Sequence, residues 1–291
     1  MPDSIQIIQL VIYGLVYGSV VALGAVGVSL TFGVLRFANF AHGDLMTFGA
    51  YVVLLLYSML KLPLWLGLLC ALLATAALAL FIDAVLYQRL RRLNPGNSSM
   101  ILLISSFGVG LMLRSLIQLL WGPDTQVYAQ GIQLPYKFWG LRIKPDHVTI
   151  LLVAVAAVIL LHLFLQKTRI GKAMRALADN ADLARISGIN TVAVMRWTWV
   201  MGAILAALAG FLLGLDTRIQ PEMGWYILLP VFAAAILGGI GKPYGAIAGG
   251  LIIGLAQELS TLVISPAYKP AVAFALMVLI LLWRPTGIFR S

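Results

Sequence analysis

The chain has 291 residues, of which 62% are hydrophobic and 10% charged, and its net charge is +10. Soluble domains average roughly 45–50% apolar and about 25% charged residues, so this composition excludes an ordinary soluble domain and fits a polytopic membrane protein. The basic excess is read as positive charge held in cytoplasmic loops rather than as a nucleic-acid surface, and a single cysteine, Cys70, excludes a disulfide framework.

The apolar stretches are long and uninterrupted, which favours helices over the alternating strands of a barrel. Spans are expected at 5–31, 44–60, 64–87, 100–120, 148–166, 193–215, 225–240, 245–264 and 270–283. A helical span needs about 20 apolar residues. The region 31–45 contains Gly and Asn and reads as a broken or re-entrant element. The expectation is therefore an all-α polytopic protein of about eight to ten transmembrane helices in one domain, 1–291. Residues 1–10 lack the basic start of a signal peptide, so the first span is expected to direct insertion. With the N-terminus outside, 13 Lys and Arg fall on the cytoplasmic side, 6 fall outside and Arg114 lies within a span. That bias sets the orientation.

The first polar stretch, 37–50 (FANFAHGDLMTFGA), carries Asn39, His42 and Asp44. Ionisable groups in a membrane segment need partners or a cavity. Non-helical backbone there must be buried in protein or line water. These three residues are candidates for a translocation path or gate, with Asn or Asp capping the next helix as the plainer alternative. Asp83, Arg114, His162 and Glu258 lie in or near spans. Asp83 and His162 are expected to reach the interface, and Arg114 and Glu258 to pair with each other or with carbonyls. A metal site is not expected from a lone His-x-Asp.

The loop at about 121–147 is the largest outer segment. Its Trp121, Tyr128, Tyr136, Phe138 and Trp139 suit a headgroup-level belt. The stretch 237–254 is glycine-rich. Gly241-Lys242-Pro243-Tyr244 reads as a tight turn, and Gly245/Gly249 and Gly250/Gly254, each four apart, as close helix-packing positions. No phosphate loop is encoded: the pattern G-x-x-x-x-G-K-[ST] fails at Ile236 and Pro243, and again at Gln166.

Between two apolar stretches lies 167–190, KTRIGKAMRALADNADLARISGIN, with seven of the chain's thirty charged residues. It reads as one amphipathic helix bracketed by Gly171 and Gly188, with Ala173, Met174, Leu177, Ala178, Ala181, Ala184 and Ile186 on its apolar face. Arg175/Asp179 and Asp182/Arg185 have the spacing of supporting ion pairs. Its small apolar residues suit contact with a protein better than insertion into lipid.

Two glycines with sixteen residues between them in such a loop resemble the coupling loop of ABC importer permeases, although ALADNADLARISGIN departs from the fuller EAA pattern. NFAHGDLMTFGAY (39–51), AAILGGIGKPYGAIAGGLIIG (234–254) and RPTGIF (284–289) resemble the LivH-type branched-chain amino acid permease family along the whole chain. The resemblance implies an ABC importer permease fold with a cytoplasmic coupling loop at about 167–192. Gly171, Arg175, Asp179, Asp182, Arg185 and Gly188 would contact an ATPase. Implied partners are a LivM-like second permease, two cytoplasmic ATPases using ATP and Mg, and an extracytoplasmic binding protein. This chain would bind no cofactor itself and would lie in the bacterial inner membrane. Leucine, isoleucine and valine are the expected cargo; relatives carry urea, short amides or aromatic acids. A secondary transporter, a channel and an intramembrane enzyme are the rival classes.

Overall fold

A computed structural model describes residues 4–93, 97–128, 135–138, 140–284 and 287–288. Trp139 of the expected belt and Pro285, Thr286 and Phe289 of the closing motif lie outside them. In chain order the helices are α1 (Ser4–Leu35), α2 (Ala41–Met59), α3 (Leu64–Ile82), a π-helical turn (Asp83–Tyr87) running into α4 (Gln88–Leu93), and α5 (Ser98–Trp121). A two-stranded hairpin follows, β1 (Tyr136–Phe138) pairing antiparallel with β2 (Leu141–Ile143). Then come α6 (Pro145–Lys167), α7 (Arg169–Asp179), α8 (Ala181–Ile186), α9 (Thr191–Asp216), α10 (Met223–Gly238), α11 (Pro243–Ser260), a short 3₁₀ turn (Pro266–Tyr268) and α12 (Lys269–Trp283). Among the described residues the hairpin and an isolated bridge between Gln126 and Ile219 add strand structure to the all-α expectation.

Six helical segments among the described residues are long and apolar enough to cross a membrane. The shorter α10 and the helices α2 and α11 belong to the interior. The span expected at 64–87 is extended by α4 to Leu93. The broken element expected near 31–45 is narrower: α1 continues to Leu35, Arg36 takes φ +60, and α2 resumes at Ala41.

Small residues explain why α1, α9, α10 and α11 pack so closely. Without a hydrophobic force between helices in lipid, close approach and dispersion hold a bundle together. The two glycine pairs of α11 face different neighbours. A Cβ at Gly250 or Gly254 would collide with the α1 backbone at Ala22 or Gly18. One at Gly245 or Gly249 would collide with α10 at Gly238 or Ala234. Gly210 and Gly49 bring α9 against α2 in the same way, at Met46 and Ala207. Around this centre α3, α6 and α12 expose large apolar side chains such as Leu73, Leu160 and Leu282. So broad an apolar surface would be anomalous in water and is ordinary in hydrocarbon.

Candidate functional site

Two places carry chemistry. The first lies where α2 and α10 begin, inside the bundle. Residues 36–40 are not helical, so their backbone needs partners. α5 supplies them: Ser99 donates its hydroxyl to the Arg36 carbonyl at 3.0 Å, and the Phe40 N–H donates to Ser106 Oγ at 3.0 Å. Asn39 Oδ1 accepts the Ala41 N–H at 3.2 Å, an Asx turn just ahead of α2, whose N-cap Phe40 offers no side-chain cap. Thr47 Oγ1 accepts the Gly224 N–H at 3.0 Å near the start of α10, where Gly43 and Gly224 let the two backbones touch.

Of the three path candidates, Asn39 and His42 are buried. His42 lies beneath Gly27, where a Cβ would stand 2.7 Å from its Cε1. Asp44 is buried too, but it reaches Arg114. Arg114 Nε donates to Asp44 Oδ1 at 3.1 Å, and Nη2 to Oδ2 at 3.4 Å. The expected Arg114–Glu258 pair is therefore absent. The α5 backbone at Gly110 passes directly over the Asp44 carboxylate and leaves room for it. The guanidinium carbon of Arg114 stands 4.8 Å from the Trp225 ring centre. One turn along α5, Gln118 Nε2 donates to Glu222 Oε1 at 3.2 Å. Phe107 packs on Trp225 at 5.7 Å, and Phe40 on Phe232 at 5.2 Å.

Glu258 pairs instead with Lys269 at 2.6 Å. With His147 and Asp216, 3.3 Å apart, this pair borders a cavity of about 280 Å³ near the start of α6. Asp83, expected at an interface, is buried and paired with Arg91, while Gln88 donates to its second oxygen at 2.7 Å. His162 is exposed, with its Nδ1 2.9 Å from the Tyr244 hydroxyl.

The second place is the polar segment after α6. It is not one helix. Thr168 Oγ1 accepts the Gly171 N–H at 2.9 Å and starts α7; Asn180 ends α7 and starts α8, its Oδ1 accepting from Asp182 and Leu183 at 3.1 and 3.0 Å. Gly171 therefore lies within the first turn of α7 rather than at a helix end. Its missing Cβ lets α7 fold against the Phe164 carbonyl and Leu165 of α6. Gly188 does end α8: its φ is +80, a conformation that costs a side chain strain, and the Ile189 N–H closes back to the Ala184 carbonyl at 3.1 Å.

The break redirects the surface. Met174, Leu177 and Ala184 are buried, and Ala173, Ala178 and Ala181 partly so, against this chain's own helices. Arg36 Nη2 donates to the Ala178 carbonyl at 2.8 Å and ties the end of α1 to α7. The small-residue face thus docks inward. What points away is Arg175, Asp179, Asp182 and Arg185, together with Leu183 and Ile186, the last 79% exposed. Among the described residues neither Arg175/Asp179 nor Asp182/Arg185 closes as an ion pair.

A family model described as "Branched-chain amino acid transport system / permease component" matches residues 10–281. The chain belongs to this permease family. The permease is 34% identical to the high-affinity branched-chain amino acid transport system permease protein BraD of Pseudomonas aeruginosa, over 99% of this chain and 97% of that one. It is 34% identical to LivH of Salmonella typhimurium, over 97% and 94% of the two chains. To the probable branched-chain amino acid transport permease protein LivH of Methanocaldococcus jannaschii it is 30% identical, over 94% and 90%. The permease is a multi-pass membrane protein.

The permease's charged cluster joins residues far apart in sequence. Asp44 and Arg114 are separated by 70 positions. Each is costly in a membrane, but no local spacing connects them. Trp225, Gln118 and Glu222 join the cluster with no sequence signal beyond a polar or aromatic residue near a span end.

Proposed function

We propose that this permease is a transmembrane subunit of an ATP-driven importer that carries leucine, isoleucine and valine inward across the bacterial cytoplasmic membrane. The observation that carries this reading is the family match over residues 10–281, to relatives that are permeases of branched-chain amino acid systems. A LivM-like second permease completes the translocation path. An extracytoplasmic binding protein delivers cargo at the hairpin end. Two cytoplasmic ATPases supply ATP hydrolysis with Mg from the α7–α8 end.

The α7–α8 surface fits that task. Leu183 and Ile186 form an exposed apolar knob flanked by Asp182 and Arg185. An apolar centre with a charged rim is the composition of a protein interface. α7 is packed under α1, α6 and α9, so a push on α8 is passed to those helices as a rigid-body movement. Asn39, His42 and Asp44 set the geometry at the path rather than facing it; Arg114 stands in front of Asp44.

The test is reconstitution of the permease pair, the ATPases and the binding protein into vesicles, with radiolabelled amino acids outside. ATP-dependent accumulation of leucine, isoleucine and valine is expected. Accumulation of urea, an amide or an aromatic acid in their place would reassign the cargo. Uptake that persists without the ATPases would point to a secondary transporter or channel.

A further inference from the structure

We propose that Arg114 and Glu222 form a transient binding site for the cargo's charged backbone, Arg114 receiving the carboxylate and Glu222 the ammonium group. This inference rests on the reading of the chain as an amino-acid permease.

The first observation is where the charge lies. Arg114 is seven positions before the end of α5, about 10 Å along the helix axis at 1.5 Å per residue. It turns sideways to Asp44 rather than outward to a headgroup. An arginine at that depth on a lipid-facing side is costly. Yet its side chain remains 14% exposed, against 2% for Asp44. The α5–α10 side on which it opens is therefore suited to a water-filled path or a partner subunit, not to lipid.

The second observation is unused bonding capacity. A guanidinium has five N–H donors. Asp44 engages Nε and Nη2, and among the described residues Nη1 donates to nothing. Trp225 fixes the guanidinium plane from one side. Arg114 is thus held in one orientation with a free edge, the arrangement that binds a carboxylate by charge-assisted hydrogen bonds.

The third is the spacing. Gln118 follows Arg114 by four residues on α5, and Glu222 precedes Trp225 by three at the start of α10. The Arg114–Trp225 contact and the Gln118–Glu222 hydrogen bond are therefore two rungs, about one helical turn or 5.4 Å apart. A single α-amino acid has opposite charges close enough to bridge a cation and an anion so placed. Among the described residues the Glu222 carboxylate accepts from a neutral amide alone, so an ammonium group is a better partner for it. The apolar rings of Phe107 and Trp225 line the same side and suit an aliphatic side chain.

The experiment separates binding from the structural role of the ion pair. In the reconstituted importer, Arg114→Gln should lower leucine uptake about tenfold or more, the range expected for losing a charged hydrogen bond. Removing one charge also leaves Asp44 unpaired. The double variant Asp44→Asn/Arg114→Gln relieves that problem and should recover a folded complex, yet uptake should stay down by the same factor. Glu222→Gln should reduce uptake by a smaller factor. A second measurement does not depend on these substitutions. In a Cys70→Ser background, Leu111→Cys lies one turn from Arg114 and is labelled by a maleimide. Leucine should slow that labelling, and leucinamide, which lacks the carboxylate, should not. Uptake restored in the double variant, or labelling that leucine leaves unchanged, overturns the inference while the importer reading stands. A wild-type complex that imports no amino acid overturns both.

Discussion

α1 and α5 are both long apolar helices, yet 72% of the most apolar window of α1 is buried within the chain and only 33% of that of α5. α1 lies in a glycine seam with α11, backbone against backbone. α5 holds the stretch before α2 through Ser99 and Ser106 and α2 itself through Arg114, and leaves Phe107, Leu111 and Leu119 uncovered. The seam leaves no room for a side chain at Gly250 or Gly254 and so acts as the rigid element. The α5 side is held by directional bonds that can exchange partners. An alternating-access machine needs both, because packed interfaces switch between discrete arrangements rather than deforming smoothly.

Enlarging a seam residue should have the largest effect. Gly250→Leu places atoms within the α1 backbone at Ala22, so no folded complex should be recovered from membranes by size-exclusion chromatography. A wild-type elution profile would break the comparison. Next is the ion pair. Asp44→Asn leaves the partly exposed Arg114 without its counter-charge and should cost about 1.5–3 kcal/mol, read as a lower unfolding temperature in detergent. Gly188→Val forces a branched side chain into φ +80 and should cost about 1–2 kcal/mol, with weaker ATPase retention on an affinity column. Asn180→Ala removes the side-chain oxygen that starts α8 and should cost about 1 kcal/mol in the same thermal assay. Smallest is Gly108→Ala. Nothing lies within 4 Å of the added Cβ, so α5 should gain up to about 1 kcal/mol from helix propensity. Loss of the folded complex here would mean that α5 is packed as tightly as α1.

The seam was legible because its signal is local: Gly245, Gly249, Gly250 and Gly254 declare close packing by spacing alone. Gly188 was legible for a similar reason, since a helix end needs a residue that accepts positive φ. The charged cluster was legible only in part. Asp44 and Arg114 could each be marked as costly in a membrane, but what pairs with what is decided by the fold, across 70 residues. Arg114 finds Asp44, and Glu258 finds Lys269. The polar segment shows a different limit. Its alanines do mark a close protein contact, but small residues do not say whose protein. The contact is with α1, α6 and α9, and Asn180 breaks the helix so that Leu183 and Ile186 face outward. Asn180 caps α8, but the continuous apolar spacing on either side of it masks the break in the sequence.

On the proposed function, motion enters through the α8 knob and reaches a path that this chain does not power itself. The most direct measurement of this is ATP-driven leucine uptake by the reconstituted importer carrying Ile186→Asp, a change at a side chain 79% exposed and distant from the seam. The permease pair should assemble normally and take up leucine at roughly a tenth of the wild-type rate or less, as expected for a charge placed in the apolar centre of an interface. Undiminished uptake by that variant, with the ATPases still required, would contradict entry of motion through α8.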